Sequence, residues 1–255
     1  MTRRNPQTRR RALVTGGAIR LGRAIALGLA DAGFDVVIGY HRSRADARAT
    51  VRALKARGAH AVALRADLRD AAAAHRLVAG AARALGGLDA LVNSAAGFAR
   101  TPLVSATRAE WDALLDVNLR AAFLGTQAAV THMPTGGHVV NIADAWARGA
   151  PAGWSAYAAS KAGMETLTRV LAAELRSRAI TVNCVAPGPV LKPERLPRAR
   201  WRAITRGRAG RPADVVRAVV RFATCAPSLT GRVATIAGGR SGTTARRRRA
   251  GRWGC

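Results

Sequence analysis

A doubly wound α/β fold around a parallel sheet of about seven strands is what this sequence predicts, and three observations carry it. From residue 11 onward, short runs rich in Val, Ile, Leu and Ala alternate with longer segments of helical length, the pattern of successive βαβ units. The 255 residues, 49% of them hydrophobic, carry enough apolar material to offset their ordering entropy in a single core. No uninterrupted apolar run approaches the roughly 18 to 20 residues that cross a bilayer, because Arg, Asp or Gly breaks every candidate.

The elements follow in order. Residues 12–15 form the first strand, a short apolar run that stops at Gly16-Gly17, and 21–32 continue as a helix. Residues 36–40 (Val-Val-Ile-Gly-Tyr) and 61–66 are the next strands, separated by a helix over 45–57. An alanine-rich helix over 71–85 leads to a strand at 88–93, and a long helical segment over 108–132 leads to the strand at 138–142. Helix 156–178, strand 181–185, helix 212–224 and strand 233–236 complete the set. Right-handed crossovers then place helices on both faces and a ligand crevice at the carboxyl ends of the strands. The one long irregular stretch, 186–210, holds four prolines and many arginines and reads either as a mobile substrate loop or as an ordered surface excursion.

Charge is extreme: 42 Lys and Arg oppose 14 Asp and Glu, a net +28, and only Lys55, Lys161 and Lys192 of the cations are lysines. Five arginines lie in residues 1–11 and five in 245–255. The organisation expected is a basic, disordered N-terminal tail over 1–10, a single α/β domain over 11–239 and an Arg-rich tail over 240–255. Such charge attracts nucleic acid and acidic surfaces non-specifically and favours anionic small ligands, but says nothing of fold. The run Arg246 to Arg249 reads as a solvated basic tail; without interleaved aromatics or a helix-turn-helix pattern, specific nucleic-acid binding is not expected. Cys184, Cys225 and Cys255 form neither a disulfide framework nor a zinc knuckle, and the histidines show no ligand spacing, so no metal is expected. A basic start without an apolar stretch before a cleavage site, together with that cysteine usage, suggests a cytoplasmic protein with no membrane attachment.

After the first strand comes Thr15-Gly16-Gly17-Ala18-Ile19-Arg20-Leu21-Gly22 and then a helix. In this context a glycine turn lets backbone N–H groups approach a pyrophosphate at a helix N-terminus, although alone it also serves as a plain βα connection. The fold is then Rossmann-like. The second strand ends in Tyr40-His41-Arg42-Ser43, where an NAD site would place an acid for the ribose hydroxyls. Arg42, with His41 and Ser43, instead suits a 2′-phosphate and points to NADP(H); the other reading is a solvated Arg. Tyr157 and Lys161 lie at i and i+4 on one helix face, where an ammonium stabilises phenolate and tunes a general acid/base.

The combination is specific: the glycine turn, Asn93-Ser94-Ala95-Ala96-Gly97 after the fourth strand, Asn118 in a helix, Tyr157 with Lys161, and Pro187-Gly188 after the sixth strand. It resembles the short-chain dehydrogenase/reductases over residues 11–239, which implies hydride transfer between a nicotinamide and a C=O or C=N group of a small molecule. Arg20 in place of a loop glycine, His41-Arg42-Ser43, Asp144 in place of the usual serine, and the segment from Val92 to Leu103 look most like pteridine reductases. The resemblance implies that Tyr157 donates the proton, Lys161 holds the nicotinamide ribose, Asp144 polarises or helps protonate substrate, and Asn118 supports a lysine-linked water. It implies cofactor contacts from Gly16, Ile19, Arg20, Leu21, Asp67, Leu68, Asn93, Tyr157, Lys161, Pro187 and Gly188. Substrate contacts are implied for Arg20, Phe98, Asp144 and Tyr157, with Phe98 stacking on a pterin. Ala96 and Ala237 depart from that subgroup, and a general ketone or 3-oxoacyl reductase is the alternative. Trp146, Trp154 and Trp201 either close over a flat ligand or pack internally. The resemblance also implies a homotetramer or dimer through helices 108–132 and 156–178. Ala121, Ala122, Gly125, Ala128, Ala129, Ala158, Ala162 and Ala172 either leave room for a partner or face the sheet.

Overall fold

Strands β1 (Arg10–Val14), β2 (Phe34–Tyr40), β3 (Ala61–Arg65), β4 (Ala90–Asn93), β5 (His138–Ile142), β6 (Thr181–Pro187), β7 (Val233–Ala237) and β8 (Arg240–Thr243) form one sheet in the order β3-β2-β1-β4-β5-β6-β7-β8. This is a computed structural model, and it describes residues 9–192, 197–205, 209–237 and 240–243. The first seven strands pair in parallel, as expected, and β8 adds antiparallel to β7. Only two residues separate β7 from β8, and parallel pairing needs a crossover of a dozen or more.

The sheet thus reaches further at both ends than expected. Residues 240–243 belong to it rather than to the tail, and Arg10 opens β1 while Arg9 pairs with Asp35 at 3.0 Å. The remainder of both tails, including Arg246 to Arg249, lies outside the described residues.

Helices α1 (Arg20–Asp31), α2 (Arg44–Lys55) and α3 (Ala71–Leu85) lie where the alternation puts them. The segment 108–132 is not one uniform helix: α4 (Arg108–Leu115) passes through a π-helical turn (Asp116–Arg120) into α5 (Ala121–Ala129). A capping box fixes its start, with Thr107 accepting from the Glu110 amide and the Glu110 carboxylate accepting from the Thr107 amide. Helix α6 (Ser155–Glu174) gives way to a 3₁₀ turn (Arg176–Arg178) ended by Ala179 at φ +52°. Within 186–210, α7 (Arg198–Thr205) is a helix that composition alone did not reveal, because its arginines mask any apolar period. Helix α8 (Pro212–Ala223) follows with Pro at its first turn.

One face of the sheet buries Ile25 and Leu29 of α1 and Leu54 of α2 beside β1 and β2, and Val215, Val219 and Phe222 of α8 beside β5 and β6. The other buries Leu77 and Val78 of α3, Ala129 of α5 and Leu171 of α6 against Leu13, Leu91 and Val182. Each large side chain so buried is worth about 1.5 to 3 kcal/mol relative to exposure. Ala121, Ala122, Gly125, Ala129 and Ala172 are spent on this inner packing, so they are not the outward face. That face carries larger residues, with Phe123 and Val170 exposed beside Leu119, Leu167 and Gly163.

At the opposite edge from the crevice, His138 is buried with Nδ1 2.9 Å from Thr181 Oγ1. Burial, helped by Arg10 and opposed by Asp89, lowers its pKa to about 4 from 6.5. Below pH 6.5 the unfolded chain therefore binds a proton that the folded chain refuses, and stability falls as pH drops from 6.5 toward 4. The expected loss is on the order of 2 to 3 kcal/mol across that window. Replacing His138 with Gln should flatten it in urea melts at pH 7 and pH 4.5.

Candidate active site

The loops that carry most of the site residues singled out from the sequence leave the carboxyl ends of β1 to β6. Strand order reverses between β1 and β4, which opens a crevice there. Three layers of the site can be followed from the sheet outward.

The first is an anion cradle. Gly16 sits at φ +65°, and a Cβ on it would meet the Ala95 backbone at 2.8 Å. A Cβ on Gly22 would lie 2.1 Å from the Gly16 carbonyl oxygen, so α1 starts closer to the loop than any side chain permits. Arg20 takes the left-handed φ of +49° where a glycine would be unstrained, and its side chain is exposed. Helix α1 has Ile19 at its N-cap with no side-chain cap and no acid in its first turn, which leaves its N–H groups free for phosphate oxygens. Exposed Arg42 and half-buried His41 and Ser43 follow β2, and Ser43 likewise gives α2 no side-chain cap. The residues present therefore fit a dinucleotide bearing an extra phosphate.

Around this cradle, Asp67 faces His41 Nε2 at 3.5 Å, and a hydrogen bond from Arg69 holds its carboxyl well below the usual carboxylate range. Leu68 is buried beside Thr15 and Asn93. Asn93 is placed differently from expectation: its amide donates to Asn141 at 2.9 Å and to Thr126 at 3.3 Å, inside the protein. Its neighbours carry the crevice wall. Thr15, which sequence reasoning passed over, accepts from the Ser94 and Ala95 amides at 2.9 and 3.0 Å and so ties the β1 and β4 loops together. Pro187 ends β6, and the Gly188 amide donates to Ile236, which fixes that side of the crevice.

The reacting groups come next. Tyr157, in the first turn of α6, donates its hydroxyl to Asp144 Oδ2 at 2.5 Å, while Asp144 Oδ1 accepts from the Trp146 amide at 2.8 Å. Lys161 is one turn on, buried, and donates to the Ile142 carbonyl at 2.9 Å. The charge balance reverses the simple expectation that Lys161 lowers the tyrosine pKa. Burial, then the Asp144 charge and hydrogen bond, push Tyr157 above its ordinary value. Burial lowers Lys161 to about 8, against an upward pull from Asp144. Asn118, on the π turn, accepts from the Gly97 amide at 2.7 Å and donates to Gly97 O and Ser160 Oγ. It thus clamps the β4 loop to α6, and its amide is fully used in doing so.

The third layer is aromatic. Phe98 stacks on Trp154 with centroids 4.4 Å apart and meets Tyr157 edge-on at 4.8 Å; Trp146 meets Trp154 at 5.2 Å. Trp146 and Trp154 therefore resolve toward the site, and Phe98 remains 60% exposed above it. Two fastenings hold this wall, and neither has a signal in sequence spacing. Thr101 accepts from the Ala156 amide at 3.0 Å and its own amide donates to Gly153, which pins the Phe98 loop to the start of α6. Arg148 grips buried Glu165 through both nitrogens at 2.9 to 3.1 Å, which holds the segment after Asp144.

Comparison with known proteins agrees with this geometry. A family model described as short chain dehydrogenase matches residues 10–201. The chain is 38% identical over 240 residues to the (2S)-[(R)-hydroxy(phenyl)methyl]succinyl-CoA dehydrogenase subunit BbsD of Thauera aromatica, covering 90% of this chain and 96% of that one. It is 33% identical over 237 residues to the 3-oxoacyl-[acyl-carrier-protein] reductase FabG of Staphylococcus aureus (strain Mu50), covering 89% and 96%. Among solved structures, a short chain dehydrogenase from Burkholderia cenocepacia in complex with NADP superposes with TM-score 0.85 at 39% identity, covering 92% and 99%. A blue fluorescent protein from a metagenomic library in complex with NADPH gives 0.84 at 35%, covering 90% and 97%. These relatives support the broad resemblance and not the pteridine-reductase subgroup in particular. With its crevice, its Tyr157 and Lys161 pair and matches over nearly its whole length, the chain belongs to the short chain dehydrogenase family of oxidoreductases.

Proposed function

We propose that this chain is an NADPH-dependent reductase that adds hydride and a proton across a C=N or C=O bond of a flat small molecule. The observation that carries the reading is the 2.5 Å hydrogen bond from Tyr157 to Asp144, a phenol donating to a carboxylate under an aromatic wall. NADPH, when bound, supplies the hydride. The α1 N-terminus, Arg20 and the backbone from Gly16 to Leu21 would hold its pyrophosphate, and His41, Arg42 and Ser43 its 2′-phosphate. Asp67 and Leu68 would line the adenine, with the Asn93 loop, Pro187 and Gly188 around the remainder.

Tyr157 then delivers the proton to the atom left negative by hydride arrival, and Lys161 supplies fixed positive charge behind it. Asp144 sets the position of that proton. A carboxylate accepts, so Asp144 can hold a donor N–H of a ring substrate, whereas a serine hydroxyl serves mainly to hydrogen-bond a carbonyl oxygen. This favours a C=N substrate of dihydropteridine type seated against Phe98. A second reading, a 3-oxoacyl or ketone reductase, is favoured by the identity to FabG. Nicotinamide oxidation with dihydrobiopterin, dihydrofolate, a 3-oxoacyl thioester and simple ketones separates the two.

Cofactor choice is tested at Arg42. A charged hydrogen bond to phosphate is worth about 1.5 to 3 kcal/mol, so NADPH should bind tenfold or more tighter than NADH in calorimetry. Arg42→Ala should narrow the gap, and equal affinities in the wild type would remove the assignment.

Assembly belongs to the same reading. A groove of about 600 Å³ lies between the π turn, α5 and α6, bordered by Leu119, Phe123, Gly163, Leu167 and Val170. A second copy would cover these apolar residues, and light scattering at micromolar concentration should give a dimer or tetramer. Phe123→Glu should shift that mass to the monomer.

A further inference from the structure

We infer that the exposed face of α2 is a docking surface for the phosphate backbone of double-stranded nucleic acid, bound without regard to sequence and ending on the same Arg42 that would hold NADPH. Arg44, Arg48, Arg52 and Lys55 are all exposed and recur at i, i+4, i+8 and i+11. At 100° per residue they fall within an arc of roughly 80° and span roughly 17 Å. The buried residues Ala47, Thr50 and Leu54 turn the other side of the helix to the sheet.

What separates this face from the rest of an arginine-rich surface is density: four cations share one arc of one helix, whereas other exposed arginines without an ion pair among the described residues, such as Arg20, Arg83, Arg100, Arg176 and Arg221, are spread over separate elements. Many of the remaining surface cations are paired: Arg57 with Asp31, Arg69 with Asp67, Arg76 with Asp70, Arg108 with Asp112, Arg120 with Asp116, and Arg211 and Arg217 with Asp214. Among the described residues no ion pair involves Arg42, Arg44, Arg48, Arg52 or Lys55. Like charges at i and i+4 weaken a helix by some 0.2 to 0.5 kcal/mol per pair, and although Asp46 in the first turn and Arg52 and Lys55 in the last suit the helix dipole, no described acid pairs with the stripe to relieve it. A polyanion would.

The composition of the face selects the polyanion. Ala45 and Ala49 flank the arc on one side and half-buried Val51 on the other, exposed Asp46 lies on the far side, and the helix carries no aromatic residue. A tight protein interface uses an apolar or aromatic anchor, stable membrane anchoring adds apolar insertion to basic charge, and single strands use rings for base stacking. None is present on this face. Guanidinium forks suit phosphate oxygens, and along roughly 17 Å a duplex strand presents about five phosphates at 3.4 Å each. Arg42 and Ser43 stand directly before the helix, so a strand lying along it reaches the pocket proposed for the 2′-phosphate.

The test is binding of a fluorescent 20-base-pair duplex to the full chain between 50 and 200 mM salt. Arg44→Gln/Arg48→Gln/Arg52→Gln should weaken binding at least tenfold and flatten the log K against log salt slope by about 2.7, at 0.9 per phosphate contact. The charge-matched control Arg83→Gln/Arg176→Gln/Arg221→Gln, on α3, the 3₁₀ turn and α8, should cost less than threefold. Equal losses in the two triples would reduce the effect to net charge and overturn the proposal, as would polyglutamate displacing the duplex more readily than unlabelled duplex does. The overlap rests on the NADPH reading of Arg42 and has its own readout: NADPH should displace the duplex where NADH does not. If both or neither displace it while the α2 triple still fails, the docking face stands and the overlap is wrong. NADPH selectivity measured by calorimetry without nucleic acid is unaffected by either outcome.

Discussion

Tyr157→Phe is expected to lower kcat by about 10² to 10⁴, the range a positioned acid contributes, while leaving NADPH affinity within about twofold. The ring keeps its edge contact with Phe98 at 4.8 Å, and only the hydroxyl that meets Asp144 is lost. Lys161→Ala should damage both rate and cofactor binding, because its ammonium is buried and fastened to the Ile142 carbonyl. Stopped-flow nicotinamide oxidation together with calorimetric titration of NADPH distinguishes the two variants. Similar losses of affinity in both would take Tyr157 out of the proton-donor role.

The second large effect is at Asp144. Replacing it with Ser removes the carboxylate that raises Tyr157 and partly supports the Lys161 ammonium. In the wild type Lys161 loses its proton as pH rises through about 8, so turnover should fall on the alkaline side there. Without Asp144 the ammonium is less stabilised, and the alkaline limb should move to lower pH. Reduction of a C=N substrate should drop tenfold or more, with ketone reduction less affected, since serine still offers a hydroxyl. An alkaline limb that moves upward in Asp144→Ser would contradict the charge arrangement.

Much of this architecture was legible because it rests on local chemistry. The apolar runs of the central strands, β4, β5 and β6 above all, are buried on both faces, so they read as short continuous stretches, and the glycine turn has to be glycine where α1 meets Gly16. Tyr157 and Lys161 are neighbours on one helix, which makes their relation a matter of spacing. The rest depends on contacts distant in sequence. Thr101 reaches Ala156 and Arg148 reaches Glu165 only after the sheet has brought their loops together. The inward turn of Asn93 follows from its pairing with Asn141 on the adjacent strand, and the raised tyrosine pKa from burial plus Asp144, neither visible from an i, i+4 pair. The eighth strand was hidden by composition, because Arg240 and its neighbours carry no apolar alternation.

The most direct test of the account is NADPH oxidation by the purified wild-type chain and by Tyr157→Phe, followed at the nicotinamide absorbance with the dihydropteridine, 3-oxoacyl and ketone panel. The account predicts turnover of at least one C=N or C=O substrate by the wild type, at a rate the variant loses by 10² or more while still binding NADPH. Undiminished turnover by Tyr157→Phe, or no oxidation with any member of the panel by a wild type saturated with NADPH, would contradict it.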